Sequence, residues 1–510
     1  MMTSDIITTY PERCTGCSKC VRACPVSTAN IIIPDDSYSS YKITIDPKKC
    51  IGCGECVKVC SNGARDYHDD SDFINGLIEN RTPASVIVST SVRTAFSDTD
   101  WKKVLTWLRK NSEFKIYDAS FGADICTWVH SRLMKNKKIN RFISSSCPAV
   151  VSYIEKYTPE LLAFLSPVYS PESCMAVYLK KYLSAKTPVI LISSCMSKIS
   201  EAAKYQTFDY AATFERLISH IDKKQLAEIN QSDEFEFDYQ SGSLGLLSCR
   251  PGVIKDSLNS LGSILSVRVS SGPENIYRRL NEYMQSKSEN RPDGLEIYHC
   301  NTGCAIGSAG SDYPAEDLYM RLEKIEEEAQ KSRGTLINKD KLFKDFDKKL
   351  DSNDFVCEHT DVHVTFDSIG TDEQDAVYEQ MLKNDAASRT VDCGACGYRS
   401  CRVMCNEIYY GRNVKENCIE YLKKRMKDNC EKTEIIKATM QQQLHTVEKS
   451  AEEIRRISDK IKRPAHIPSQ AADAKAQESR NIISDEDLKA LGQQADELKK
   501  TSESIRNKFS

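Results

Sequence analysis

No apolar run in this 510-residue chain approaches the ~20 residues that a membrane helix needs. The opening residues, Met-Met-Thr-Ser-Asp-Ile-Ile-Thr-Thr-Tyr, lack a basic flank and an apolar stretch, so no signal peptide is expected there. Positive charge is not in surplus either. A formal net charge of −3 gives no basis for nucleic-acid binding. With 40% hydrophobic and 28% charged residues, the composition is that of a soluble globular protein, long enough for three or four domains. A cytoplasmic, reducing location is expected. In such a location clustered cysteines read as metal ligands before disulfides.

Cysteine is what the chain has in quantity. Sixteen of its 22 cysteines fall into three groups. The first is a duplicated C-x2-C-x2-C-x3-C run: Cys14, Cys17, Cys20 and Cys24, then Cys50, Cys53, Cys56 and Cys60. In such runs one loop wraps three corners of a cubane, and the fourth cysteine, expected at the start of a helix, ligates the other cluster. Cys14, Cys17, Cys20 and Cys60 are therefore assigned to one 4Fe–4S cluster, and Cys50, Cys53, Cys56 and Cys24 to a second. Gly16, Gly52 and Gly54 keep the loops small enough for backbone N–H groups to approach sulfur. Pro25 follows the first run; Ser61 replaces the second proline. Zinc or disulfides are the alternatives. The module resembles the bacterial dicluster ferredoxins.

From about residue 80 the pattern turns α/β. Val86–Thr90, Phe114–Tyr117, Arg141–Ser145 and Val189–Ser193 read as strands, and 101–110 and 125–135 as helices. Such alternation predicts a largely parallel sheet. Two strands run directly into Cys147 and Cys195, and a third apolar stretch leads to Cys300 and Cys304. Ligand sites of open α/β sheets lie beyond strand carboxyl ends, so these cysteines are expected to share one site.

The motifs Ser144-Ser-Ser-Cys147-Pro, Ser194-Cys195-Met-Ser-Lys198-Ile-Ser-Glu201 and Cys300-Asn-Thr-Gly-Cys304 stand in the order of three motifs of the FeFe-hydrogenase catalytic domain. Thr82–Val86, Ser91–Arg93, Phe121–Asp124, Ser170–Pro171 and Pro251–Val253 match as well, so the chain resembles that family over roughly residues 80–320. The resemblance implies that Cys147, Cys195, Cys300 and Cys304 bind the cubane of an H-cluster. It implies further that Cys304 bridges to a diiron unit and that Lys198 pairs with one of that unit's cyanides.

The departures are equally informative. Ser146 stands where the family has a proton-relaying thiol, and an alcohol's pKa lies far above a thiol's ~8.5. Val129 and Arg132 stand near where the family has carboxylates, and Ser193 and Tyr298 replace methionines that line the diiron pocket. The electron route reads as complete and the proton route as broken, with His130 and His299 as substitute relays. Cys126, Cys174 and Cys249 flank the pocket, where they are either buried structural residues or ligands of a non-standard cluster.

Residues 312–390 read as helical covering. Then Cys393, Cys396 and Cys401, with Cys418 further on, resemble the small 4Fe–4S domain of corrinoid iron–sulfur proteins and sensory hydrogenase homologues. Zinc is the other candidate metal. Cys405 is read as packing. Met440, Leu444, Val447, Ala451, Ile454, Ser458 and Ile461 form one heptad seam, and Leu488, Leu491, Ala495, Leu498, Ser502 and Ile505 another. Pro464 and Pro468 end the first helix, and Ser484–Asp487 resembles a capping box for the second. The tail is either a helical hairpin or a dimeric coiled coil.

The expected architecture is multidomain α/β. A dicluster ferredoxin module spans 1–75, a FeFe-hydrogenase-like domain 80–385, a small 4Fe–4S domain 386–430 and a helical coiled-coil tail 431–510. The expected cofactors are four 4Fe–4S clusters, with either a diiron subsite or a non-standard cluster beside the central one. Candidate catalytic residues are Lys198, Ser146 and Cys304. Three functions are in view: a hydrogen or redox sensor or electron-transfer protein with little turnover, a slow hydrogenase, or a reductase of another small substrate. The expected partner is a ferredoxin-like or signalling redox protein, with homodimerisation through the tail.

Overall fold

The computed structural model describes residues 6–34, 41–96, 100–229, 235–259, 265–310, 315–335, 339–365, 369–462 and 485–509. The chain divides into two compact units, Met1–Asn417 and Cys418–Ser510. The division falls thirteen residues before the boundary expected at 430/431.

The first unit opens with two antiparallel ribbons. Strand β1 (Ile7–Thr9) pairs with β4 (Arg65–Tyr67), and β2 (Asn30–Pro34) with β3 (Tyr41–Ile45). Arg65 ties them together: Nη1 donates to Thr9 Oγ1 at 2.6 Å and Nη2 to Asn30 Oδ1 at 3.2 Å.

Two parallel sheets follow, where the sequence predicts one. The first has the order β6 (Phe114–Asp118), β5 (Ala84–Val88), β8 (Val189–Ser193), β9 (Tyr210–Thr213). Every residue of β5 and β8 is buried, which is why these strands read as continuous apolar runs rather than alternations. The second sheet has the order β10 (Val267–Ser271), β11 (Gly294–Tyr298), β7 (Phe142–Ile143). The expected strand at 141–145 shortens to two residues and does not join the main sheet. One edge of β7 pairs with β11, and Ser166 N donates to Ile143 O at 2.8 Å on the other. Both edges are thus taken.

The helix expected at 125–135 spans Ala119–Lys135, starting earlier because Asp118 caps it by accepting from Ser120 N at 2.9 Å. Gly122 lies flush against the helix Pro171–Val177. The stretch read as covering is largely helical, at Ala315–Thr335, Lys339–Lys349 and Thr371–Gln380. Phe346 from it packs on Phe121 and Trp128.

In the second unit the first tail helix begins at Ile419, well before Met440, and runs to Lys462; the second spans Asp485–Phe509. They lie antiparallel, with Ser502 Oγ donating to Glu448 Oε1 at 2.7 Å and Arg455 paired with Asp496 at 3.3 Å. Ala451, Ala495 and Ser502 are buried between them, whereas Val447, Leu491 and Leu498 of the two seams stay 40%, 38% and 44% exposed. The side chains of Ser458, Ile461, Leu488 and Ile505, both prolines and Ser484 lie outside the described residues. Among the described residues, no helix is long and apolar enough to cross a membrane.

A β-carbon at Gly122 would stand 2.1 Å from Pro171 O and 2.7 Å from Met175 N. Gly122→Ala should therefore lower stability by about 1–3 kcal/mol. Gly76→Ala, on a helix with no atom near the new methyl, should raise it by about 0.5–1 kcal/mol. Denaturant midpoints of the two variants, moving in opposite directions, check both.

Candidate iron–sulfur centres

The two N-terminal runs fold into two hollows. Cys14, Cys17, Cys20 and Cys60 line one, and Cys24, Cys50, Cys53 and Cys56 line the other. The glycines enable this. Gly16, Gly52 and Gly54 have φ of +70°, +67° and +86°, and a β-carbon at Gly16 would stand 2.5 Å from Tyr41 O. Gly52 N donates to Cys50 Sγ, and Ala64 N to Cys60 Sγ, each at 3.3 Å. Contrary to the sequence reading, the fourth cysteines do not start helices. Cys24 terminates the helix Lys19–Ala23, and Cys60 follows Glu55–Lys58. It is the end of each short helix that carries its last thiol across to the other hollow.

Burial, then the neighbouring Cys50 sulfur, pushes Cys24 up to about 12; burial likewise raises Cys53 and Cys56. Thiolates become favourable in such places only beside a cation, and iron supplies one. Among the described residues no three His, Cys, Asp or Glu side chains converge on the position of a single ion. A zinc site would draw its sulfurs to about 2.3 Å from one point. Thiols spaced around a hollow suit a cubane instead.

The central cysteines arrive from both sheets. Cys147 follows β7 and caps the helix Pro148–Tyr157, while Cys195 follows β8 just before the helix Ser197–Tyr205. Cys300 and Cys304 follow β11, in a turn where Gly303 has φ of +66°. The four are electrostatic neighbours. Burial first, then Cys195, raises Cys147 to about 11, and the same pair of causes raises Cys300 and Cys304. His299 N donates to Cys147 Sγ at 3.4 Å. The His299 ring sits between Tyr277 OH at 2.7 Å and Glu55 Oε1 at 3.3 Å, facing the N-terminal module rather than the pocket beside Cys304.

That pocket is dominated by Lys198. Its Nζ lies 2.9 Å from Glu172 Oε2 and 2.6 Å from Glu201 Oε2, and all three side chains are buried. Burial alone would lower the lysine; the two carboxylates outweigh it and hold it charged. Ser89 donates to Glu172 at 2.9 Å, and Ser170 and Ser173 donate to Glu201. Ser146 is buried close by in sequence to Cys147. Arg132 points away and pairs with Asp347 at 2.5 Å, and Val129 is core. Ser193 bonds the Cys195 backbone, and Tyr298 donates to Glu296 at 2.9 Å. Of the three extra thiols, Cys126 Sγ lies 3.7 Å from His130 Nδ1, and Cys174 Sγ donates to Tyr169 O at 3.4 Å. Cys249 lies apart, beside Arg93 and Thr90.

Cys393, Cys396 and Cys401 sit on loops and the start of the helix Cys401–Tyr409 in the first unit; Cys418 is the first residue of the second. Gly397, with φ of +89°, packs on the backbone of Val21 and Arg22, beside the first N-terminal hollow. Asn417 links Cys396 O, at 3.1 Å, to Ser18 Oγ, also at 3.1 Å. The second N-terminal loop docks on the central site: Ser197 Oγ donates to Gly52 O at 2.8 Å, and Gly54 abuts Met196 and Ser308. The donor sets therefore follow one order, from 393–401 through the two N-terminal hollows to Cys147. The sequence reading missed Glu172 and the buried cations Arg65 and Lys383. Arg65 Nη2 lies 3.7 Å from Cys20 Sγ, and Lys383 Nζ 3.5 Å from Cys401 Sγ. No local signal marks them. Cys405 is buried and donates to Gln374 O.

Residues 82–308 match the family described as iron only hydrogenase large subunit, C-terminal domain, and residues 13–64 match a 4Fe–4S dicluster domain. Together with the sulfur sets they define an iron–sulfur protein of the oxidoreductase class. More closely, the part of the chain spanning residues 82–308 is similar to the FeFe-hydrogenase large subunit. Iron hydrogenase 1 of Clostridium pasteurianum is 24% identical over 270 residues, covering 42% of this chain and 46% of that protein. The chain thus spans about half the length of this curated relative. Among solved structures, FeFe-hydrogenase HydA1 from Chlamydomonas reinhardtii is similar at 16% identity, with a TM-score of 0.43 over 57% of this chain and 99% of that one. A HydA structure on H-cluster assembly gives 17% identity and a TM-score of 0.41 over 54% and 93%.

Cys24→Ser should remove the cluster of Cys50, Cys53 and Cys56 and spare that of Cys14, costing about four irons. Cys405→Ala should cost none. Iron analysis and electron paramagnetic resonance of the reduced protein check both, and loss of the Cys14 cluster signal in Cys24→Ser would overturn the cross-assignment.

Proposed function

We propose that this protein is a redox sensor or electron-transfer protein of FeFe-hydrogenase ancestry with little or no hydrogen turnover. The observation that carries this reading is the double carboxylate clamp on Lys198. By the family resemblance, Lys198 pairs with a cyanide of the diiron unit. Here Glu172 Oε2, at 2.9 Å, takes that hydrogen bond. One ammonium between two buried carboxylates leaves the pocket net negative, and an anionic diiron unit does not fit there. The two N-terminal cysteine sets and the central set fit cubanes. Each cubane, when bound, takes up and releases one electron.

The rest of the work belongs to the chain's own groups. Backbone N–H groups of Gly52, Ala64 and His299 donate to ligand sulfurs and favour the added electron. Arg65 and Lys383 offset the charge at their sets. A redox partner protein docks at the 393–401 end, and the tail hairpin reports to it or to a second copy. The loss of a thiol at Ser146 supports the same reading, since removing one step of a proton relay costs about 10²–10⁴ in rate.

A reductase acting on another small molecule is the second reading. It is favoured by a cavity of about 470 Å³ that touches both Cys50 and Ser145, with Glu155 and Lys204 paired on its wall.

Protein offered a diiron cofactor should show no cyanide or carbonyl infrared bands and no measurable hydrogen production. Ser146→Cys alone should not restore turnover, because Glu172 still holds Lys198. Glu172→Gln should raise retention of the cofactor. Intact bands with ordinary turnover in the unmodified protein would overturn the proposal.

A further inference from the structure

The cavity of about 470 Å³ in the first unit is where three walls meet. The helix Pro148–Tyr157 lines it with Val151 and Ser152, and the helix Ser197–Tyr205 with Ser200 and Ala203. The N-terminal module closes the third side with Ile45 and Ile51. Protein packing leaves few voids larger than a single water, whereas this volume is that of a small-ligand pocket. Hydrogen bonds at its border hold the walls in place. Lys156 Nζ donates to Cys50 O and Tyr157 OH to Lys49 O, each at 2.5 Å, and Ser197 Oγ donates to Gly52 O at 2.8 Å. Both helices are thereby fixed to the N-terminal module, so the cavity is formed before any ligand arrives.

The charges on the walls decide what fits. Two carboxylates, Glu155 and Glu201, and two ammonium groups, Lys156 and Lys204, line the cavity, and each is engaged within the protein. Glu155 pairs with Lys204 and accepts from Thr360 N at 2.9 Å. Glu201 lies 2.6 Å from Lys198 Nζ and accepts from Ser170 and Ser173. Lys156 holds the Cys50 carbonyl. A charged ligand would have to break one of these contacts and strand a buried charge, whereas a neutral one need not. Between the charges stand apolar side chains and the hydroxyls of Ser152, Ser200 and Tyr205, which donate as well as accept. Hydroxyl donors on an apolar wall suit carbonyl oxygens on an apolar body. Cys50 and Ser145 both line the cavity, so its occupant stands between the second N-terminal set and the loop that leads into Cys147. A ring that takes up electrons is the neutral ligand suited to that position.

We propose that this cavity binds a neutral ring compound bearing carbonyl groups, of the quinone class, against Cys50. The proposal names the ligand of the reductase reading and rests on that reading. The quinone takes two electrons, one at a time, from a reduced protein of the ferredoxin class, and two protons from solvent. Both carbonyl oxygens gain O–H bonds, and the product leaves as the hydroquinone. Solvent has access, because Val362 on the cavity wall is 48% exposed.

The test uses the full-length protein with its clusters, kept oxidised under argon, in equilibrium dialysis against menadione, a neutral two-ring quinone. One molecule should bind per chain, and the anionic 1,4-naphthoquinone-2-sulfonate should bind at least about tenfold more weakly. Ser152→Phe and Ala203→Phe, at half-buried positions on different helices, fill the cavity from two sides. Each should lower menadione affinity at least about tenfold with iron content unchanged. Should one variant lose iron, the other decides. Failure of menadione to bind, equal binding of the sulfonate, or unchanged affinity in a variant that keeps its iron overturns the proposal. The reductase reading is judged separately, by hydroquinone formed anaerobically with reduced ferredoxin as donor. Binding without hydroquinone keeps the site and sinks that reading. Hydroquinone formed equally by the filled variants keeps that reading and sinks the site.

Discussion

The constraint on which the rest of this structure depends is the cost of burying thiolates. Cys24, Cys53 and Cys56 have their thiols pushed up by burial, and Cys147, Cys300 and Cys304 likewise. Four anionic sulfurs in a low-dielectric hollow are tolerable only beside a metal cation, so on the proposed reading cluster binding at each set is coupled to folding. A cubane with four thiolates remains an anion, and the fold offsets it in two ways. Positive-φ glycines turn backbone N–H groups toward sulfur, and buried cations stand beside the ligands, as Arg65 does at Cys20 and Lys383 at Cys401.

Close backbone approach then fixes how near neighbouring sulfur sets stand. Gly54 fits against Met196 and Ser308 because it has no β-carbon, and Gly397 fits against Val21 and Arg22 for the same reason. A side chain at either position would separate neighbouring sulfur sets by at least its own width. On the proposed electron-transfer function, these two contacts would bear on how close neighbouring clusters can stand. They also make the 393–401 segment the outer end of the series, adjoining the N-terminal module rather than the central sheets.

The N-terminal sulfur sets were legible in the sequence because three of four ligands lie within seven residues, and loop length alone restricts their reach; Cys147, Cys195, Cys300 and Cys304 are scattered, and were legible through the apolar stretches that run into them and the family resemblance. The parallel strands were legible because β5 and β8 are buried on both faces. What was not legible is tertiary. Splitting into two sheets depends on Ser166 closing the free edge of β7, a bond between residues 23 positions apart with no sequence signature. The clamp on Lys198 depends on Glu172, which reads in sequence as an ordinary helix-opening carboxylate after Ser170-Pro171. The tail's heptads have the same period whether their seams face a second chain or each other. The antiparallel pairs Ser502–Glu448 and Arg455–Asp496 join the two helices within the chain.

The serines of the central motifs change meaning in three dimensions. In sequence they look like losses: a thiol and pocket methionines gone, and hydroxyls scattered through Ser89, Ser91, Ser170, Ser173 and Ser194. In the fold several of them act together. Ser89 donates to Glu172, and Ser170 and Ser173 to Glu201, while Ser194 donates to Ser91 at 2.8 Å and Ser91 to Ser89 at 3.2 Å. Carboxylates bonded by several donors stay ionised even when buried. The hydroxyls are therefore what allows a second carboxylate beside Lys198 in the buried interior. On the proposed function, these hydroxyls and Glu172 act together: they give Lys198 an anionic partner from the chain itself.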